Sequence, residues 1–267
     1  MKIIWIIQLL FLICFMSCQH SHGPVHVLQE INYESQGKQY SSFFAYDSSS
    51  LDKRPTILVL HEWWGMNDYT LSRTKQLAEL GYNALAVDIY GNKQVGNNPQ
   101  EASALSKPFY ENPELVQQAV KSALAAVKQN PRVDQDQIAA IGYCFGGGMA
   151  LNLARLGADM KAVVSFHGSL LGTPADANLL KAKILVCHGA NDQFISMDEI
   201  ETFKKQMDSI KADYKFVEYQ GATHAFSNPD ATRKGQEFNL PIAYNEAADT
   251  SSWNEMKLFF KSVFEPK

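Results

Sequence analysis

Positive charge is in short supply in this chain: 24 Lys and Arg stand against 28 Asp and Glu, for a net charge of −4 at pH 7. No basic footprint for nucleic acid is present, which excludes that class of partner. Repeats, low-complexity blocks and heptads are also missing, so the chain is neither a coiled coil nor a disordered scaffold. The longest apolar run, residues 3–16 broken only by Gln8, is too short to cross a bilayer comfortably, since a spanning helix takes about 20 apolar residues. Cysteine is scarce, with four in 267 residues. His61-Glu62-Trp63-Trp64-Gly65 begins like a zinc-binding H-E-x-x-H site, but its fifth residue is glycine and the second ligand is absent. What is present is an ordinary globular composition, 46% hydrophobic, at a length that one large domain fills.

The amino terminus stands apart. Lys2, the apolar run and then Ser17-Cys18-Gln19-His20 read as a secretory signal. The chain therefore divides into a signal peptide at 1–18, a polar tether at 19–24 and one domain at 25–267. Phe15-Met16-Ser17-Cys18 also resembles a bacterial lipoprotein lipobox, in which a small residue precedes a cysteine that becomes lipidated; Phe15 stands where leucine is expected. The resemblance implies an exported protein, in the periplasm or anchored in the bacterial envelope through lipid on Cys18. The alternative is ordinary cleavage near Ser17 and release of a soluble periplasmic protein. Cys14 leaves with the signal, so Cys144 and Cys187 are the thiols left in an oxidising compartment. Both fall near the ends of expected strands of one parallel sheet. With one strand between them they stand about 10 Å apart, beyond the roughly 7 Å Cα limit for a disulfide. Cys187, inside Ile184-Leu185-Val186-Cys187, reads as a small buried core residue.

Two segments, 25–33 and 40–46, flank Gln36-Gly37 and are expected to pair antiparallel. Beyond them, apolar runs at 56–60, 83–87, 137–141, 162–166, 184–186 and 214–219 alternate with helical periodicity at 68–80, 113–129, 145–156, 197–210 and 252–264. Apolar strands alternating with helices predict an α/β fold, a mostly parallel, doubly wound sheet with helices on both faces. Residues 99–110 read as a shorter helix or cap, and 228–248 as a long loop with some helix.

Chemistry concentrates at the ends of these strands. Gly142-Tyr143-Cys144-Phe145-Gly146 is a G-x-C-x-G run directly after strand 137–141. Glycines either side of a central nucleophile suit a sharp strand-to-helix turn, and here the nucleophile is a thiol. A thiol nucleophile needs a proton partner, and that partner an orienting carboxylate. His224 follows strand 214–219 and Asp192 follows strand 184–186, giving the chain order nucleophile, acid, histidine of α/β-hydrolases. The loop after strand 56–60 is placed to give one backbone N–H to a developing oxyanion, and Phe145, at a helix N-terminus, the other.

On His61-Glu62-Trp63-Trp64-Gly65, Asp88-Ile89-Tyr90, Gly142-Tyr143-Cys144-Phe145-Gly146-Gly147, Asp192 and His224-Ala225-Phe226, the chain resembles the dienelactone hydrolases, a branch of the α/β-hydrolase fold. The resemblance runs from about Val25 to the end. It implies Cys144 as nucleophile, His224 as its proton partner and Asp192 as the residue holding His224. It also implies Trp63 and Phe145 as oxyanion donors and Glu62 as the carboxylate that takes the thiol proton when substrate binds. A carboxylate beside Cys144 disfavours the thiolate, and a neutral thiol resists oxidation outside the cytoplasm.

The arginines with which dienelactone-cleaving members grip a substrate carboxylate have no counterpart, since the corresponding stretches read Tyr90-Gly91-Asn92-Lys93 and Phe226-Ser227-Asn228. Asparagine cannot supply a bidentate charge clamp, and Lys93 reads as a solvated surface residue. The expected substrate is thus a small ester or lactone, neutral or differently charged from a dienelactone, cleaved without cofactor or metal by a monomer or weak oligomer. The competing readings are a non-catalytic envelope ligand-binding protein and a thioesterase or acyltransferase using the same thiol. Trp63, Trp64, Tyr90, Tyr143 and Phe226 are the aromatic candidates for a pocket wall.

Overall fold

The computed structural model describes residues 26–265. The signal peptide, tether and Cys18 lipidation site therefore lie outside the described residues. β1 (His26–Ser35) and β2 (Lys38–Asp47) form the expected hairpin, in register from His26 against Asp47 to Ser35 against Lys38. Its two-residue turn needs positive φ, which Gln36 and Gly37 adopt at 52° and 74°. β3 (Arg54–Leu60), β4 (Asn83–Val87), β5 (Val133–Tyr143), β6 (Ala162–Phe166), β7 (Lys183–Gly189) and β8 (Tyr214–Tyr219) complete one eight-stranded sheet in the order β1-β2-β4-β3-β5-β6-β7-β8. The six later strands run parallel, and β2 joins β4 antiparallel.

Side chains alternate across the sheet with period two. Ile57, Val59, Ala139 and Ile141 enter one core, closed by Leu77 and Ala78 of α1 (Asp68–Glu79) and by Met256 and Phe260 of α7 (Glu246–Phe264). Leu58, Leu60, Ile138 and Ala140 enter the other, closed by α2 (Pro99–Glu111), α3 (Glu114–Val127), α4 (Phe145–Arg155) and α5 (Met197–Ser209). Residues 99–110 are thus a full helix, started by Asn98, whose side chain accepts from Glu101 N, and by Pro99 in its first turn.

Two bounds differ most from the sequence expectation, the starts of α7 and β5. α7 begins at Glu246 rather than near 252, because Asn245 caps it through Ala248 N. The 228–248 stretch also contains α6 (Ala231–Phe238). β5 begins at Val133, ahead of the apolar run, where Arg54 and Val133 pair before a register shift. Two neighbour relations matter for function. Leu60 pairs with Gly142, so the loop after β3 lies beside the turn after β5. β6 lies between β5 and β7, which separates Cys144 from Cys187, and both thiols are free.

Candidate active site

Cys144 sits where β5 ends and α4 begins, with φ 53° and ψ −115°. Such a backbone is strained for a non-glycine residue and persists only when its surroundings over-determine it. Gly142 and Gly146 supply the room. A Cβ on Gly142 would lie 2.0 Å from the Gly146 carbonyl oxygen, and one on Gly146 would lie 2.3 Å from the Leu60 carbonyl oxygen. The Cys144 N–H donates to Phe166 O at 3.0 Å and to Nδ1 of His167 at 3.1 Å.

The side chains expected to act together meet. Nε2 of His224 is 3.0 Å from the Cys144 sulfur, and Nδ1 is 2.8 Å from Asp192 Oδ2. A carboxylate only accepts, so Nδ1 carries the proton. Asp192 is fixed in turn, its Oδ1 accepting from Phe194 N at 2.9 Å. Burial alone would pull the His224 imidazole down, but the Cys144 sulfur on one side and Asp192 on the other raise it to about 10.

Glu62 is 2% exposed and lines the same cavity as Cys144. Burial raises its carboxyl above the usual range, opposed by the charge of Lys234 and by the Asn228 amide, which donates to Oε2 at 2.7 Å. Lys234 lies 3.9 Å from the Trp64 ring centroid, a cation–π contact at the edge of the site. Trp63 and Phe145, the expected oxyanion donors, lie in the loop after β3 and at the first residue of α4, and β3 and β5 are neighbours in the sheet. Neither backbone N–H donates a hydrogen bond among the described residues. Tyr90 Oη donates to Trp63 O at 3.0 Å and so holds the following peptide.

Cys144, His224, Glu62 and Trp63 open into a cavity of about 440 Å³. Trp63 and Trp64 line it as expected, whereas Tyr90, Tyr143 and Phe226 are core residues, each 1% exposed or less. Their rings pack on Phe109, Phe166 and Tyr219 instead. The aromatics that sequence reading missed are Tyr110 and Phe194, both on polar-looking segments. No arginine lines the cavity; its charged walls are Glu62, Glu199 and Lys107. Lys93 pairs with Glu30 at the surface.

His167 was also missed. It is fully buried with φ 42°, and its Nε2 is 2.7 Å from Ser227 Oγ, which is 2.7 Å from Tyr69 Oη. Its ring meets that of His224 edge-on at 5.3 Å. One imidazole thus ties the Cys144 backbone to the loop carrying His224. The available signal was its place at the end of an apolar strand, in Phe166-His167-Gly168.

A mostly parallel sheet wound by helices on both faces, with the Cys144 turn at the end of one of its inner strands, defines an α/β-hydrolase. The chain belongs to the dienelactone hydrolase family, whose model matches residues 42–264, and it is a hydrolase of the ester and lactone class. A relative named Protein usf from Aquifex pyrophilus is 28% identical over 228 residues, 81% of this chain and 96% of its own length. A putative carboxymethylenebutenolidase from Aquifex aeolicus is 28% identical over 206 residues, covering 75% and 87%. Among solved structures, a dienelactone hydrolase-like promiscuous phosphotriesterase from metagenomic libraries superposes with a TM-score of 0.83 at 31% identity, over 89% of this chain and 98% of that one.

Proposed function

We propose that this chain hydrolyses small, largely apolar esters or lactones through a covalent Cys144 thioester. The observation that carries the reading is the 3.0 Å contact between the Cys144 sulfur and His224 Nε2, with Asp192 bound behind the ring. The thiolate attacks the substrate carbonyl carbon, and the oxyanion is received by the N–H groups of Trp63 and Phe145. Collapse of the tetrahedral adduct breaks the bond to the alcohol oxygen, which takes the proton from His224 Nε2. His224 then removes a proton from water, whose oxygen attacks the thioester, releasing the acid and returning the thiolate beside the protonated His224.

The cavity speaks to the substrate. Aromatic and aliphatic walls, with two carboxylates against the single Lys107 and no arginine, favour an uncharged acyl group over an anionic one. The test is turnover of p-nitrophenyl esters and lactones of graded charge, with a phosphotriester included because one structural relative bears that activity in its name. Cys144→Ala, folded by circular dichroism, should lose at least about 1,000-fold in kcat/KM. Turnover that survives this substitution rules out the thiol mechanism. Ligand binding without any turnover by the native chain favours a binding protein.

A further inference from the structure

The two oxyanion donors proposed above belong to peptide units that must be held in one orientation. The Trp63 N–H shares its planar peptide with the Glu62 carbonyl, so fixing that oxygen fixes the N–H on the opposite edge. Two groups donate to the Glu62 carbonyl: Gly65 N at 3.1 Å and Nδ1 of His61 at 2.7 Å. A carbonyl only accepts, so His61 carries its proton on Nδ1. The other ring nitrogen, Nε2, is buried and has no protein hydrogen-bond partner among the described residues. The His61 ring is 1% exposed and packs against Phe145, at 6.0 Å, and Tyr90, at 4.6 Å. Its neighbours are therefore the second oxyanion donor and the tyrosine that holds the Trp63 carbonyl.

We propose that His61 is a positioning residue for the oxyanion hole, its Nδ1–H locking the Glu62–Trp63 peptide so that the Trp63 N–H meets the oxygen of the reacting carbonyl. A carbonyl that accepts two hydrogen bonds also polarises its own amide, which makes the N–H a stronger donor. The imidazole takes no proton from substrate and touches none of the reacting atoms. It acts through the peptide alone. Burial holds this ring down to about 4, so its charge is constant across the working range and its tautomer is set by geometry. This proposal rests on the cysteine-hydrolase reading and assigns that site a part which the sequence motif left without a role.

The experiment compares His61→Leu, His61→Asn and His61→Gln using p-nitrophenyl butyrate and an alkyl trifluoromethyl ketone, which forms a tetrahedral adduct with the thiol. Asparagine places an amide N–H where Nδ1 stood, whereas glutamine places it further out, near Nε2. His61→Leu should lower kcat about 10- to 100-fold with KM within about threefold, and should weaken the ketone by a similar factor, the mark of a lost transition-state interaction. His61→Asn should recover most of both, and His61→Gln should not. If the leucine variant fails to fold, the asparagine and glutamine pair decides, and equal behaviour of the two overturns the proposal. So does a folded His61→Leu that keeps its kcat, or one that loses kcat without losing ketone affinity. Turnover by the native chain that does not need Cys144 defeats the hydrolase reading and this proposal with it; Cys144-dependent turnover with a neutral His61→Leu defeats this proposal alone.

Discussion

At the scale of single residues the thiol stands between opposed influences. On one side of the Cys144 sulfur stands His224, held in its charged form by that sulfur and by Asp192, and the Glu62 carboxylate lines the same cavity. Glu62→Gln separates these effects, because glutamine still accepts from the Asn228 amide but carries no charge. Alkylation of Cys144 by iodoacetamide should quicken in this variant, and equal rates would remove any protective role for Glu62. The same variant has a predictable stability profile. Burial raises the Glu62 carboxyl in the folded chain, so its contribution is complete below its unfolded value near 4.5 and is lost as pH rises through the raised one. Glu62→Gln should therefore melt higher than the native chain at pH 8, with the gain shrinking toward pH 4. A constant difference across that range would mean that Glu62 does not titrate with folding. Glu62 was read from the resemblance of His61-Glu62-Trp63-Trp64-Gly65 to the family motif, and not from its own surroundings in the sequence. Asn228 was read only as a missing arginine. Its bond to Glu62 spans 166 positions in sequence, and no local pattern encodes such a pairing.

At the scale of elements, the site depends on how closely α4 approaches the end of β3. Gly146 makes that approach possible, because its missing Cβ would fall 2.3 Å from Leu60 O and 2.6 Å from His61 O, backbone atoms that cannot rotate aside. Gly146→Ala must push the start of α4, with Cys144 and Phe145, away from the loop carrying Glu62 and Trp63. The expected result is a melting temperature lower by about 5 °C or more and a kcat lower by at least about tenfold, since displacement of a reacting group by 1 Å is costly. A variant that melts and turns over like the native chain would show that the two loops do not need this contact. The glycine spacing was readable because G-x-C-x-G has a steric cause. Strand positions such as 83–87 and 162–166 were readable because the sheet is covered on both faces and its strands are continuously apolar. The first six residues of α7 were not, because its capping asparagine precedes a polar turn and its buried face begins only at Ala248.

At the scale of the whole molecule, the order of strands does what no single residue can. Chain order put nucleophile, acid and histidine after three strands, and the parallel sheet delivers all three to one edge. The convergence of His167, Ser227 and Tyr69 behind them was not readable, since it joins β6, the loop after β8 and α1 across the fold. From the amino-terminal sequence we propose that Cys18 carries lipid and anchors the chain in the bacterial envelope. Between Cys18 and the start of β1 at His26 the chain spans at most about 30 Å however it is arranged. A hydrolase anchored in that way works within about one domain diameter of the membrane and meets its substrates there, in a compartment where an unprotected thiol is exposed to oxidation. A single acyl chain gives only reversible attachment, so a mature lipoprotein with several chains predicts a membrane fraction that resists salt washing. Cys18→Ala expressed in a bacterial host should abolish incorporation of labelled palmitate and move the protein out of that fraction. Its Cys144-dependent esterase activity should remain unchanged, since the described domain begins eight positions later. Retention of the label or of the membrane fraction by this variant would refute the anchor, and loss of the esterase activity would mean that the tether takes part in the site.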